Sequence, residues 1–249
     1  MRELGTVPRP TATDRYARWA GLLVGLVAAR LVGSNDGLGV GILYAIPVFG
    51  LCAVAGVLVG DALTPPPRGT VRTAGLAPRR IRDYVPPRMT LLLLAEAAVL
   101  VVLLAVAAVV ASPDDMGRAG RSLTVTCPDG STASTSPWPG LFYGLPILAA
   151  LAVSTTACVW SLTRIARRPG DEQTRRDRSL AIVAAWGLLV SAPLLGAAST
   201  ASGALMGIGC DGTVGRLANW ALWPTALVAL VTVPWCLFTV IAPKAGVRR

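Results

Sequence analysis

Between Thr90 and Ala111 the chain carries a single ionisable side chain, Glu96, in a run otherwise built from Leu, Val, Ala, Thr and nothing charged. An ionisable group in such a run is costly to bury in hydrocarbon and is a functional candidate for that reason. A carboxylate there can bind a cation, relay protons or pair with an arginine. Glu96 lies eight residues beyond Arg88, roughly 12 Å along a helix. Its neighbours at three- and four-residue spacing are Leu92, Leu93, Val99 and Leu100. No polar track continues along that face, so a proton wire confined to this helix is not expected.

Partners for Glu96 have to come from other helices at the same depth. Thr155 and Thr156 lie eight or nine residues before Arg164, close to the level of Glu96, with Ser154 one residue further along. Arg30, twelve residues beyond Arg18, either reaches Glu96 or extends its charged head toward Asp36 and the headgroups. The second behaviour is the usual one for a long cationic chain near a helix end. Glu96, Arg30, Thr155 and Thr156 are therefore the candidate intramembrane polar site, with a structural hydrogen bond or ion pair as the more ordinary role for Glu96. Ser191, Pro193, Ser199, Thr200 and Ser202 form a second polar concentration. Pro193 frees a backbone carbonyl there, and nearby hydroxyls can satisfy it.

The five cysteines divide by location. Cys52, Cys158 and Cys236 fall inside apolar segments, where a thiol behaves as a small apolar group. Cys127 and Cys210 fall in two connecting segments expected to face an oxidising compartment, and a disulfide between them is expected. Other chemistry is narrowed by what the sequence lacks. There is no histidine, which removes His-based catalysis, haem ligation and most zinc sites. No Cys-x-x-Cys pair is present, Asp114 and Asp115 are a lone acidic pair, and the glycine-rich Gly33 to Gly41 stretch has no nucleotide-binding context. No metal, cofactor or enzymatic activity is expected.

These residues must be positioned by apolar helices. Residues of the AVILMFWYC set make up 53% of the 249 residues and charged residues 14%, against about 25% charged in a soluble domain; mean hydropathy is +0.60. Six segments reach the roughly 20 apolar residues that span a bilayer. They run approximately over 18–34, 40–60, 90–111, 141–162, 180–201 and 219–241. The first is the weakest and also reads as a signal peptide, but without a clean small-residue cleavage site an uncleaved helix is expected. Gly21 with Gly25, Gly56 with Gly60, and Gly140 with Gly144 have the small-xxx-small spacing of close helix contacts, expected either within a compact bundle or between two copies of the chain in a homo-oligomer. The expected fold is a single all-α membrane domain over residues 1–249.

Basic residues set the orientation. Nineteen fall in the N-terminal arm, the loops 61–89 and 163–179 and the C-terminal tail, and only Arg118, Arg121 and Arg216 fall in the opposite loops 112–140 and 202–218. Positive charge is retained in the cytoplasm, so both termini are expected there. The net charge of +10 thus reflects membrane topology rather than nucleic-acid binding. The arginine-rich loops are expected to contact anionic lipid, with segment 76–85 a candidate for lying on the surface or docking a protein partner.

An almost lysine-free basic complement with abundant Ala, Val, Leu and Gly resembles the uncharacterised polytopic integral membrane proteins of actinobacteria. The resemblance is one of composition and layout with no diagnostic motif, and it implies a bacterial plasma membrane and no particular activity. The expected function is a non-enzymatic scaffold or accessory subunit. The alternative is a small-solute or ion transporter or channel using Glu96.

Overall fold

A computed structural model describes residues 12–34, 41–64, 86–167, 172–210 and 212–243. The chain is mostly helical, in the order α1 (Ala12–Ser34), α2 (Ile42–Leu63), α3 (Pro87–Val110), β1 (Leu123–Thr126), β2 (Thr132–Thr135), α4 (Leu141–Arg167), α5 (Glu172–Ile208) and α6 (Gly212–Ile241). All six helices are long and apolar enough to cross a membrane. One end of the bundle carries Arg164 and Arg167 of α4 and Arg175, Arg176 and Arg178 of α5. We refer to it as the arginine end, and to the opposite end as the hairpin end. The candidate surface segment 76–85 lies outside the described residues.

Helix α5 is the axis of the bundle. It packs against α2, α3, α4, α6 and β2, and its most apolar stretch is 72% buried, against 17–39% for the other five helices. Its sequence permits this on every side. Ala181, Ala184, Ala185, Gly187, Ser191, Ala197, Ala198 and Ala201 leave room for neighbouring backbones. At 37 residues it is about 55 Å long, well beyond the roughly 30 Å of a hydrocarbon core. It ends at Ile208 because Gly209 adopts φ +68°, the left-handed conformation that closes helices and that glycine adopts without penalty.

The glycines of α1 and α2 bring those helices into direct backbone contact. A Cβ on Gly21 would stand 2.6 Å from Gly56 Cα, and one on Gly56 would stand 2.7 Å from Gly21 Cα. One turn away Gly25 meets Cys52 and Phe49, and Gly60 meets Asp14 and Ala17. The spacings at Gly21/Gly25 and Gly56/Gly60 are thus the two halves of one antiparallel crossing. Gly140 and Gly144 do something different. Gly140 fits tightly under the Gly120 carbonyl, where a Cβ would come within 2.4 Å, whereas Gly144 has ordinary room beside Leu104.

The structure departs from the sequence expectation in its connections. An antiparallel β1–β2 hairpin, with Leu123 opposite Thr135 and Thr126 opposite Thr132, stands in the 112–140 segment, so the fold is not purely helical. Residues 202–218, expected as a loop, are almost wholly helix, because α5 continues to Ile208 and α6 begins at Gly212. The small and polar residues in that stretch resemble loop composition, yet Ser202 and Arg216 bond within or between helices. Ser202 donates to Asn219 Oδ1 of α6, and Arg216 donates through Nε to the Gly212 carbonyl. Likewise α4 and α5 take up most of 163–179.

The glycine crossing yields a test. Gly56→Leu should lower thermal stability by about 1–3 kcal/mol, the usual cost of overpacking. Gly203→Ala, at a position with nothing within 4 Å, should leave the melting temperature unchanged or slightly raised. Fluorescence-detected melts of the two purified variants check this, and equal melts would remove the crossing from the account.

Candidate functional site

The first polar layer in the apolar interior forms where α3, α5 and α6 meet. Glu96 projects from α3 into this junction and is 4% exposed. Ser191 of α5 donates through Oγ to Glu96 Oε2 at 2.5 Å. Thr232 of α6 stands with its Oγ1 2.7 Å from Glu96 Oε1 and also 2.9 Å from the Val228 carbonyl, one turn back on its own helix. Ser191 is fully buried and Thr232 2% exposed. One carboxyl group therefore ties together three helices.

Apolar layers close the junction on both sides. Toward the arginine end, Leu93, Leu188 and Cys236 pack together. Here Gly187 lets the helices approach so closely that a Cβ on it would stand 2.6 Å from Cys236 Sγ and 2.9 Å from Leu93 Cδ1. Toward the hairpin end, Leu100, Leu194 and Ala229 form the next layer. The offsets follow from helical spacing: Leu93 and Leu100 are three before and four after Glu96, Gly187 is four before Ser191, and Cys236 is four after Thr232. Cys158 and Cys236 are buried free thiols, and Cys52 is a half-buried one.

The structure does not bring the residues named from sequence together around Glu96. Thr155 donates to the Leu151 carbonyl and accepts from Trp186 Nε1 of α5 at 2.9 Å, making a separate α4–α5 link. Thr156 is exposed and donates to the Ala152 carbonyl. Arg30 is exposed on α1, a helix packed chiefly on α2. Ser191 is a partner of Glu96 that sequence had assigned to a different polar group, and Thr232 had not been singled out. The available signal was depth. Thr232 lies nine residues before the end of α6 and Glu96 nine after the start of α3, and both ends are at the same side of the bundle.

A second cluster occupies the hairpin end. Arg121, 5% exposed, donates to Tyr143 Oη through Nε and Nη2 at 3.3 and 3.1 Å. Its guanidinium stands 4.6 Å from the centre of the Phe142 ring, a favourable cation–π placement. Asp114 lies 3.7 Å from Arg121 Nη1. The Asp114 carboxyl is held below the usual carboxylate range. Desolvation opposes its charge, but the Arg118 and Met116 backbone N–H groups and the Arg118 guanidinium outweigh it. Trp138 donates from Nε1 to the Ala107 carbonyl at 2.8 Å, fixing this segment on α3. Cys127 and Cys210 are joined in a disulfide with Cα atoms 5.6 Å apart, which links the β1–β2 turn to the α5–α6 turn. The remaining ion pairs named here lie at the arginine end. Asp61 of α2 meets Arg178 of α5 at 3.2 Å, Asp14 pairs with Arg18 and Glu172 pairs with Arg176. Among the described residues no group of three or more His, Cys, Asp or Glu side chains could hold a metal.

Compared with protein-family models, curated proteins and solved structures, the chain matches none.

The polar layer makes a graded prediction. Glu96→Gln keeps one acceptor for Ser191 and offers an N–H to Thr232, so it should hold the wild-type melting temperature closely. Glu96→Ala removes both interhelical bonds and leaves a void, at a cost of about 1–4 kcal/mol. Thermal melts of the purified variants measure the difference. A Gln variant as unstable as the Ala variant would mean that charge, not hydrogen bonding, holds the layer.

Proposed function

We propose that this chain is a multi-pass protein of the bacterial plasma membrane, with both termini in the cytoplasm, acting as a non-enzymatic scaffold or accessory subunit. The observation that carries this reading is the enclosure of Glu96. Its two oxygens are occupied by Ser191 and Thr232, and apolar layers lie on either side. A transport site needs its carboxyl group open to a path for the solute, whereas a packing site needs it closed. The expected residues of a polar track, Thr155 and Thr156, spend their hydroxyl hydrogens on their own helix.

The orientation rests on the nineteen basic residues of the arginine-end segments and tails. The disulfide at the hairpin end is consistent with an oxidising compartment on that side. At the arginine end, exposed Trp160 carries Arg164 5.5 Å from its ring centre. This is an amphipathic pair suited to a headgroup layer, where each arginine near anionic lipid contributes on the order of 1 kcal/mol.

Two measurements check the proposal. In intact cells, a membrane-impermeant maleimide should label Cys127 and Cys210 only after reduction. Labelling of neither, even after reduction and gentle opening of the fold, would reverse the orientation or change the helix count. In proteoliposomes, Glu96→Gln should leave ion and small-solute permeability as in wild type. A severe loss of a measurable flux in that variant would sink the scaffold reading and establish the transporter.

A further inference from the structure

The arginines of the arginine end divide by what their guanidinium groups meet. Arg18 pairs with Asp14, Arg176 with Glu172 and Arg178 with Asp61. Helix α4 is different. Its last two turns, Trp160 to Arg167, contain no Asp or Glu, and among the described residues neither Arg164 nor Arg167 makes an ion pair. Both are exposed, and their spacing of three residues puts them on one face, where like charges repel. Arg164 stands 5.5 Å from the centre of the Trp160 ring, a cation–π placement that holds its charged head beside the indole.

The same face continues as an apolar stripe toward the middle of the bundle. Val153, Thr156 and Trp160 precede Arg164 at steps of three and four residues, and all three are exposed. Val153 is 66% and Trp160 63% exposed. Thr156 gives its hydroxyl hydrogen to the Ala152 carbonyl, so it asks for no outside acceptor. From Val153 to Arg167 the stripe rises about 21 Å. One leaflet contributes about 15 Å of hydrocarbon, with the headgroup beyond it. The stripe therefore has the length and the polarity order of a single phospholipid: apolar chain, amphipathic indole, cationic end. A soluble phosphate meets only the cationic end, and an acidic peptide at the membrane surface stops short of Val153.

We infer that the outer face of α4 is a binding site for one anionic phospholipid, its phosphate held between Arg164 and Arg167 and its acyl chain lying along Trp160, Thr156 and Val153. This rests on the membrane placement proposed above and names the lipid that the arginine end selects. A zwitterionic headgroup brings its own cation beside the two guanidinium groups, whereas a phosphatidylglycerol headgroup brings none. The site thus prefers the anionic lipid. Arginines that only record topology would give no discrete site and no difference between those of α4 and those elsewhere.

Native mass spectrometry of the full-length protein decides it. The protein is delipidated in neutral detergent and titrated with phosphatidylglycerol or phosphatidylcholine of the same acyl chains. The first phosphatidylglycerol should be retained at a concentration about 5- to 25-fold lower than the first phosphatidylcholine. Arg164→Gln combined with Arg167→Gln should remove that preference, while Arg216→Gln at the hairpin end should keep it. Millimolar inorganic phosphate should not displace the lipid. In cells, benzoylphenylalanine in place of Trp160 should cross-link to lipid. Equal retention of the two lipids by wild type, or a preference that survives the double substitution, would overturn the proposal. Displacement by inorganic phosphate would reduce the site to a simple anion contact, and a protein cross-linked at position 160 would give the face to a protein partner; either also overturns it. The wild-type comparison and the cross-link stand even where the double variant fails to fold. Binding in detergent does not depend on which side of the membrane the arginine end faces, so a reversed orientation would show in the maleimide labelling and not here.

Discussion

A carboxyl group inside an apolar helix bundle must find its hydrogen bonds in side chains, because the backbone around it is already committed to its own helices. Glu96 meets that constraint by drawing Ser191 from α5 and Thr232 from α6 onto its two oxygens. The bond fixes more than distance. A hydroxyl reaches a carboxyl oxygen from only a narrow range of helix rotations and axial shifts. The register of three helices is thus set at one level, and the apolar layers on either side follow from it. Leu93, Gly187 and Cys236 come together one turn toward the arginine end, and Leu100, Leu194 and Ala229 one turn toward the hairpin end. Apolar packing alone is less selective, since one leucine surface accepts many registers.

The central position of α5 is the second condition. A helix surrounded on all sides cannot carry large residues everywhere, and its alanines, Gly187 and Ser191 let α2, α3, α4 and α6 approach together. Serine suits position 191 because it is small enough for close packing and still brings a donor. Each end of the bundle then has its own fastening. Asp61 with Arg178 ties α2 to α5 at one, while the disulfide and the Arg121–Tyr143 cluster hold the hairpin at the other.

Helices were readable from the sequence because length and hydropathy report directly on what an apolar environment requires, and all six stand close to their expected places. Their ends were less so. Ser202 and Gly203 look like loop residues when only composition is weighed, but α5 continues through them and Ser202 finds its acceptor on α6 at Asn219. Strand β1 carries the β-branched run Thr-Val-Thr before a Pro-Asp-Gly turn, and β2 follows it as Thr-Ala-Ser-Thr, a signal masked by reading the whole segment as a connection. For the site, sequence identified Glu96 and its depth. It could not choose among hydroxyls at similar depth, since Thr155 and Thr232 differ chiefly in which neighbour their helices face. That choice is made by packing: α4 turns Thr155 toward Trp186, and α6 turns Thr232 toward Glu96.

The claim that one carboxyl group couples α3 to α5 and α6 is tested most directly by a double-mutant cycle on Glu96→Ala and Ser191→Ala, read from equilibrium or thermal unfolding of the purified protein. The account predicts that the double variant loses less than the sum of the two single losses, with a coupling energy of about 0.5–2 kcal/mol. Strictly additive losses would contradict it, placing the stability of the interior in apolar packing alone and leaving Glu96 as a bystander.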